Sequence, residues 1–152
     1  MTVRYVTGDL FEQPVPALAH GVNCAGAMGK GIAVEFKKRW PAMYREYFQR
    51  CARGDLHPGG VFSYPTDSGP YSMIYNLATQ AHWRTGATLE VVGWCISNLL
   101  IQADRHAIQK IAMPRIGCGL GGLEWKAVQA EVERIANNNE IELIVVSLPE
   151  KP

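Results

Sequence analysis

Apolar positions along the chain change their period several times. Val3 to Val6 reads as a short first strand, ended by Thr7-Gly8-Asp9. Ala17 to Val22 is a compact, mostly apolar run that suits a strand buried on both faces. A glycine-rich loop follows, and Ile32, Phe36 and Trp40 then repeat at helical spacing. Pro41 predicts a second helix from its own first turn to about Arg53. Two strands are expected at Val61–Tyr64 and Tyr71–Thr79, joined by the turn-rich segment Pro65 to Pro70. Leu89, Val92, Ile96, Leu99 and Ala103 step by three and four, the stripe of an amphipathic helix. Lys110 to Met113 is a strand stopped by Pro114, and a second glycine loop runs from Gly117 to Gly122. Trp125, Val128, Val132 and Ile135 make another helical stripe before a β-branched strand from Ile141 to Leu148.

Strands alternating with helices predict an α/β fold, a three-layer α/β/α sandwich around a mixed, mostly parallel sheet. No linker or repeat interrupts residues 1–152, so one domain is expected. A chain of this length with 47% hydrophobic and 19% charged residues can bury a real core. The four cysteines, Cys24, Cys51, Cys95 and Cys118, are too far apart in sequence for a zinc knuckle or a CxxC redox site. The N-terminus lacks a signal-peptide pattern and no apolar run is long enough to cross a bilayer. The expectation is a reduced, cytoplasmic monomer without a membrane partner.

A formal net charge of +1 argues against nucleic-acid binding through bulk charge alone. The charge is nevertheless uneven. Residues 30 to 53 hold Lys30, Lys37, Lys38, Arg39, Arg45, Arg50 and Arg53 against Glu35 and Glu46, a local +5. That stretch is either a solvated helix face or a landing surface for a polyanion.

Both glycine loops follow an expected strand and precede a helix, where α/β sheets bind ligands. Glycine admits close backbone approach, and amides at a helix start attract phosphate. Two such loops suggest a diphosphate. Gly29-Lys30 fails as a P-loop, because Gly31 stands where a Ser or Thr is needed and Cys24 where the first glycine should be. Gly117-Cys118-Gly119-Leu120-Gly121-Gly122 satisfies GxGxxG, but the acid a dinucleotide fold needs at the end of the next strand is absent.

These residues together resemble a macrodomain, the ADP-ribose-binding module. The resemblance is carried by Gly8-Asp9-Leu10, His20-Gly21-Val22-Asn23, Gly26-Ala27-Met28-Gly29-Lys30-Gly31-Ile32-Ala33, Pro114-Arg115-Ile116-Gly117-Cys118-Gly119-Leu120 and Leu123-Glu124-Trp125. It is strongest to the branch holding the terminal ADP-ribose protein glycohydrolase and the antitoxin that clears ADP-ribose from DNA. The resemblance implies that Asp9, with Leu10 beside it, meets the adenine amino group. It implies that the loop Gly26, Met28, Gly29, Lys30, Gly31, Ile32 and the loop Ile116, Gly117, Cys118, Gly119, Leu120, Gly121 clamp the diphosphate. Leu148 would lie against the adenine, and Asn23 would face the distal ribose. Each has a plainer role open to it: a strand-end turn for Asp9 and Asn23, core packing for Leu148, loop filling for Cys118.

The chain departs from the branch where catalysis is expected. The lysine that attacks the anomeric carbon in the resembled enzymes is Gln80 here, after Leu77-Ala78-Thr79. An amide offers no basic lone pair, so a covalent lysine intermediate is excluded at that position. The Asp of the protein glycohydrolase is Gly121. The resemblance therefore implies hydrolysis by water attack, with Asn23 or Gln80 orienting the water, most readily on ADP-ribosyl esters of Asp and Glu in proteins. A non-catalytic reader and an eraser of ADP-ribosylated DNA are the alternatives. His82, Glu35 and Lys30 are further acid or base candidates, and His82-Trp83-Arg84 could line the distal mouth. No metal or cofactor is required, since backbone amides can hold the diphosphate.

Overall fold

The computed structural model describes residues 2–67 and 69–149. The strands are β1 (Val3–Thr7), β2 (Ala17–Asn23), β3 (Val61–Pro65), β4 (Met73–Gln80), β5 (Lys110–Met113) and β6 (Glu142–Ser147). The helices are α1 (Ala33–Arg39), α2 (Pro41–Ala52), α3 (Leu89–Arg105) and α4 (Trp125–Ala136). The sequence pattern anticipates each of them. It misses one element, a 3-10 turn at Leu10–Glu12 that Asp9 caps by accepting a hydrogen bond from the Phe11 amide. Pro41 sets the break between α1 and α2. A residue before proline is driven out of the helical region, and Trp40 sits at φ −130°, ψ 69°. The proline then opens α2 at its first turn.

The sheet order is β1-β6-β5-β2-β4-β3. All neighbours are parallel except the β3–β4 pair, which the turn-rich segment of residues 65–70 predicts. Side chains alternate between two cores, as a pleated strand requires. Ala17 and Ala19 of β2 point to the α3–α4 side with Val92, Leu99, Val128 and Val132. Leu18 and Val22 point to the α1–α2 side with Phe36, Met43 and Tyr47. The result is the three-layer sandwich the alternation predicts.

Three residues fall differently from the sequence reading. Met28 is buried in the α1–α2 core, and so is Leu10. Their side chains pack, so any contact they make with a ligand is left to the backbone. Leu148 lies beyond the end of β6 and is 82% exposed, which removes core packing as its role.

His20 on β2 is fully buried, its ring stacked 3.7 Å from that of Phe36. Its Nε2 lies 2.6 Å from Asn76 Oδ1, while Asn76 Nδ2 donates to the Phe62 carbonyl. That carbonyl only accepts, so Asn76 must turn its oxygen to His20, and the proton sits on Nε2. Burial pushes the His20 pKa down to about 4, with the Asn76 hydrogen bond acting the other way. A histidine held neutral in the fold is protonated first in the unfolded chain. Stability is therefore intact above about pH 6.5 and lost as pH falls from there toward 4. The loss from this group between pH 7 and pH 4.5 is expected to be roughly 2–3 kcal/mol. Urea unfolding at the two pH values, with the His20 imidazole followed by NMR, checks it. A midpoint near 6.5 in the folded protein would rule the effect out.

Candidate functional site

A cleft of about 480 Å³ opens above the carboxyl ends of β2, β4 and β5. Its origin is topological. β2 and β5 are parallel neighbours, but the chain leaves β2 for α1 on one face and leaves β5 for α4 on the other. The two glycine loops diverge and leave a crevice between them. Gly29, Lys30, Gly31 and Ile32 form one wall, and Ile116, Gly117, Gly119, Leu120 and Gly121 the other. Asn23, Gln80 and Trp83 also line it.

Backbone amides dominate both walls. Among the described residues, the N–H groups of Gly29, Lys30, Gly31 and Ile32 meet no acceptor, nor do those of Gly119, Leu120 and Gly121. Backbone donors left unpaired beside a cleft need water or a ligand. Two facing rows of them suit an anion with several oxygens. The first wall is held open by packing. Gly26 takes φ +85°, and a side chain there would come within 3.0 Å of the Phe48 ring on α2.

Asn23 is an anchor for that loop. Its Oδ1 accepts from the amides of Ala25 and Ala27 and from the buried Tyr47 hydroxyl, at 2.9, 3.3 and 2.9 Å. Its Nδ2 donates to the Ala27 carbonyl. The amide orientation follows, since the two backbone N–H groups can only donate. One Nδ2 hydrogen remains for a ligand, and the oxygen is fully used. Asn23 can thus donate to a ribose hydroxyl or a water oxygen, while its own oxygen is taken up within the fold.

Gln80 is the complement. Its Nε2 donates to the carbonyls of His82 and Thr85, both at 3.0 Å. Carbonyls accept only, so the nitrogen must face them, and Oε1 is left as the free acceptor at the cleft wall. The loop of residues 81–85 holds this arrangement. It is tied by Thr85 Oγ1 to the His82 carbonyl and by the Cys24 amide to the Ala81 carbonyl.

Other expected residues lie elsewhere. Asp9 is exposed and outside the cleft lining, with one carboxylate oxygen on the Phe11 amide. Gly26 gives its carbonyl to the Tyr44 hydroxyl behind the wall. Cys118 directs its thiol to the Ile116 carbonyl, and burial pushes its pKa up, Arg115 acting the other way. Neither feature activates it as a nucleophile. Glu35 is engaged by Lys38 and Arg39 on α1. The His82 ring lies tilted against that of Trp83, centroids 3.6 Å apart, and Trp83 is 45% exposed and lines the cleft.

Sequence reasoning passed over Gly21, Val22, Ala27, Ala33, Thr79, Pro114 and Arg115 as lining residues. Arg115 had a signal, being a cation two residues before the second glycine loop, and it lies 5.1 Å over the Trp125 ring. Gly21, Val22, Ala27, Ala33 and Pro114 stood within the motifs that carry the resemblance and Thr79 directly before Gln80, and neighbouring strands and loops bring them to the cleft. No group of three metal-binding side chains occurs among the described residues.

Comparison with known proteins places this architecture. The DNA ADP-ribosyl glycohydrolase of Thermus aquaticus is 37% identical over 134 residues, 86% of this chain and 37% of that protein. The chain thus spans little more than a third of that relative. The ADP-ribose glycohydrolase OARD1 of Homo sapiens is 31% identical, with 96% of this chain and 91% of that one aligned. The solved macrodomain of Mycobacterium tuberculosis DarG superposes with a TM-score of 0.90 at 32% identity, covering 98% of both chains. The family model described as Macro domain matches residues 19–132, the span that carries both glycine loops and Gln80, and the chain belongs to that family.

Proposed function

We propose that this chain releases ADP-ribose from modified macromolecules by direct attack of water on the anomeric carbon, without a lysine intermediate. The two rows of amides would hold the diphosphate, and the spare Nδ2 hydrogen of Asn23 would meet a distal ribose hydroxyl. The observation that carries the reading is the locked amide of Gln80. Both its hydrogens are spent on carbonyls, so its oxygen is pre-set to accept from a water beside the cleft. The water oxygen bonds to the anomeric carbon, the bond to the leaving oxygen breaks, and the water proton passes to the departing group or to solvent. Gln80 orients that water and does not keep its proton. Such a site suits a good leaving group, as in an ester to Asp or Glu, which needs less help than an N-glycoside.

A DNA-borne ADP-ribosyl group is a second reading. Two observations favour it: the relatedness to proteins named DNA ADP-ribosyl glycohydrolase and the basic stretch of residues 30 to 53. Release in H₂¹⁸O from an Asp/Glu-modified protein and from a modified oligonucleotide tests both. Hydrolysis by this route puts ¹⁸O in the freed ADP-ribose and leaves no covalent adduct on the enzyme. Tight ADP-ribose binding with release at the no-enzyme rate on both substrates would make the protein a reader instead.

A further inference from the structure

Helix α2 carries an exposed surface that the cleft does not use. Tyr44 and Phe48 stand one turn apart with ring centroids 6.3 Å from each other, and Phe48 is 52% exposed. With Arg45 and Gln49 they line a shallow concavity. Lys37 of α1 lays its ammonium 4.2 Å over the Tyr44 ring.

The cations of the basic stretch divide into two sets. Lys38 and Arg39 are matched by Glu35, Arg50 by Glu46 and Arg53 by Asp55. Among the described residues no carboxylate pairs with Lys30, Lys37 or Arg45. One of these unmatched cations rims the cleft, and the other two flank the aromatic pair. The patch also adjoins the cleft wall. The Tyr44 hydroxyl donates to the Gly26 carbonyl at 2.9 Å, the Phe48 ring packs on Gly26, and the next residue, Ala27, lines the cleft.

We propose that this face of α2 binds single-stranded nucleic acid leaving the Asn23 end of the cleft. A base would stack on Phe48 beside Tyr44, and backbone phosphates would meet Arg45, Lys37 and Lys30. Positive charge alone would serve any polyanion, acidic protein included. The exposed Phe48 ring beside it favours bases, and only an unpaired strand has bases free to stack. The inference rests on the second reading above and names the surface through which it would operate.

The test is fluorescence anisotropy with a labelled, unmodified oligothymidylate at low and moderate salt, with ADP-ribose affinity measured on the same preparations. Wild type is expected to bind the oligonucleotide saturably. The exposed charge variant Lys37→Glu/Arg45→Glu should weaken it about tenfold or more and flatten the salt dependence by one to two phosphate contacts. Phe48→Ala should also weaken it about tenfold. ADP-ribose affinity should stay within about twofold in the charge variant. Loss of ADP-ribose binding or release in wild type would instead strike at the hydrolase reading. Absence of oligonucleotide binding by wild type, competition by polyglutamate equal to that by oligonucleotide, or unchanged affinity in the charge variant would overturn the proposal.

Discussion

Gln80→Met is expected to slow ADP-ribose release about 100-fold while leaving ADP-ribose affinity within a few-fold of wild type. Methionine keeps the length of the side chain and removes the acceptor that would orient the attacking water. A factor of 100 corresponds to about 2.7 kcal/mol of transition-state stabilisation. The substitution also strips donors from the His82 and Thr85 carbonyls, so a loosened loop has to be separated from a lost oxygen. Gln80→Lys does this, because an ammonium can donate to the same two carbonyls and hold the loop. It should be as slow as Gln80→Met, since those carbonyls favour the protonated amine and oppose a nucleophilic one. Single-turnover release with calorimetric binding of ADP-ribose reads both effects. A wild-type rate in Gln80→Met would remove the oxygen from the mechanism. A faster rate in Gln80→Lys would mark Gln80 as the replacement that silenced a lysine route.

Gly119→Val is expected to abolish ADP-ribose binding, by at least about 100-fold in Kd, in a protein that still folds. A side chain built at Gly119 meets nothing within 4 Å, and the residue does not occupy the left-handed backbone region. The added methyl groups would therefore stand in open space at a residue that lines the cleft rather than press on the protein. Gly121 is the contrast two residues on. A Cβ there would stand 2.5 Å from the Gly117 carbonyl oxygen, so Gly121→Ala must rearrange the loop and should lower Tm by several degrees. Differential scanning fluorimetry alongside ligand titration distinguishes them. Undiminished affinity in Gly119→Val would show that the second loop is not a phosphate cradle.

The two catalytic candidates show how far sequence reading carries. Asn23 and Gln80 are side-chain amides at the ends of adjacent strands, and from the sequence either could orient a water. Hydrogen bonding divides the roles. Asn23 has its oxygen consumed by Ala25, Ala27 and Tyr47, and Gln80 has its nitrogen consumed by His82 and Thr85. Four of these five partners are within five residues, yet nothing in residue type announces which atom of an amide they will occupy. The fifth, Tyr47, comes from another helix 24 residues away. The basic stretch behaves similarly. Its +5 is plain in the sequence, but which cations are already paired depends on side-chain geometry along α1 and α2.

What the sequence by itself determined is local and periodic. Alternation and helical stripes specify the strands and helices of the described residues, Pro41 specifies the break between α1 and α2, and glycines mark the two loops. These follow from backbone sterics and from burial of one face, which act over a few residues. The tertiary structure alone decided which strands became neighbours. Only because β2 lies against β5, with their helices on opposite faces, do loops some ninety residues apart enclose one cleft. The pairing of β2 with β4 on its other side brought Gln80 beside Asn23, and the strand order left Asp9 and Leu148 outside the cleft lining, because contacts across a sheet depend on strand order rather than on distance along the chain.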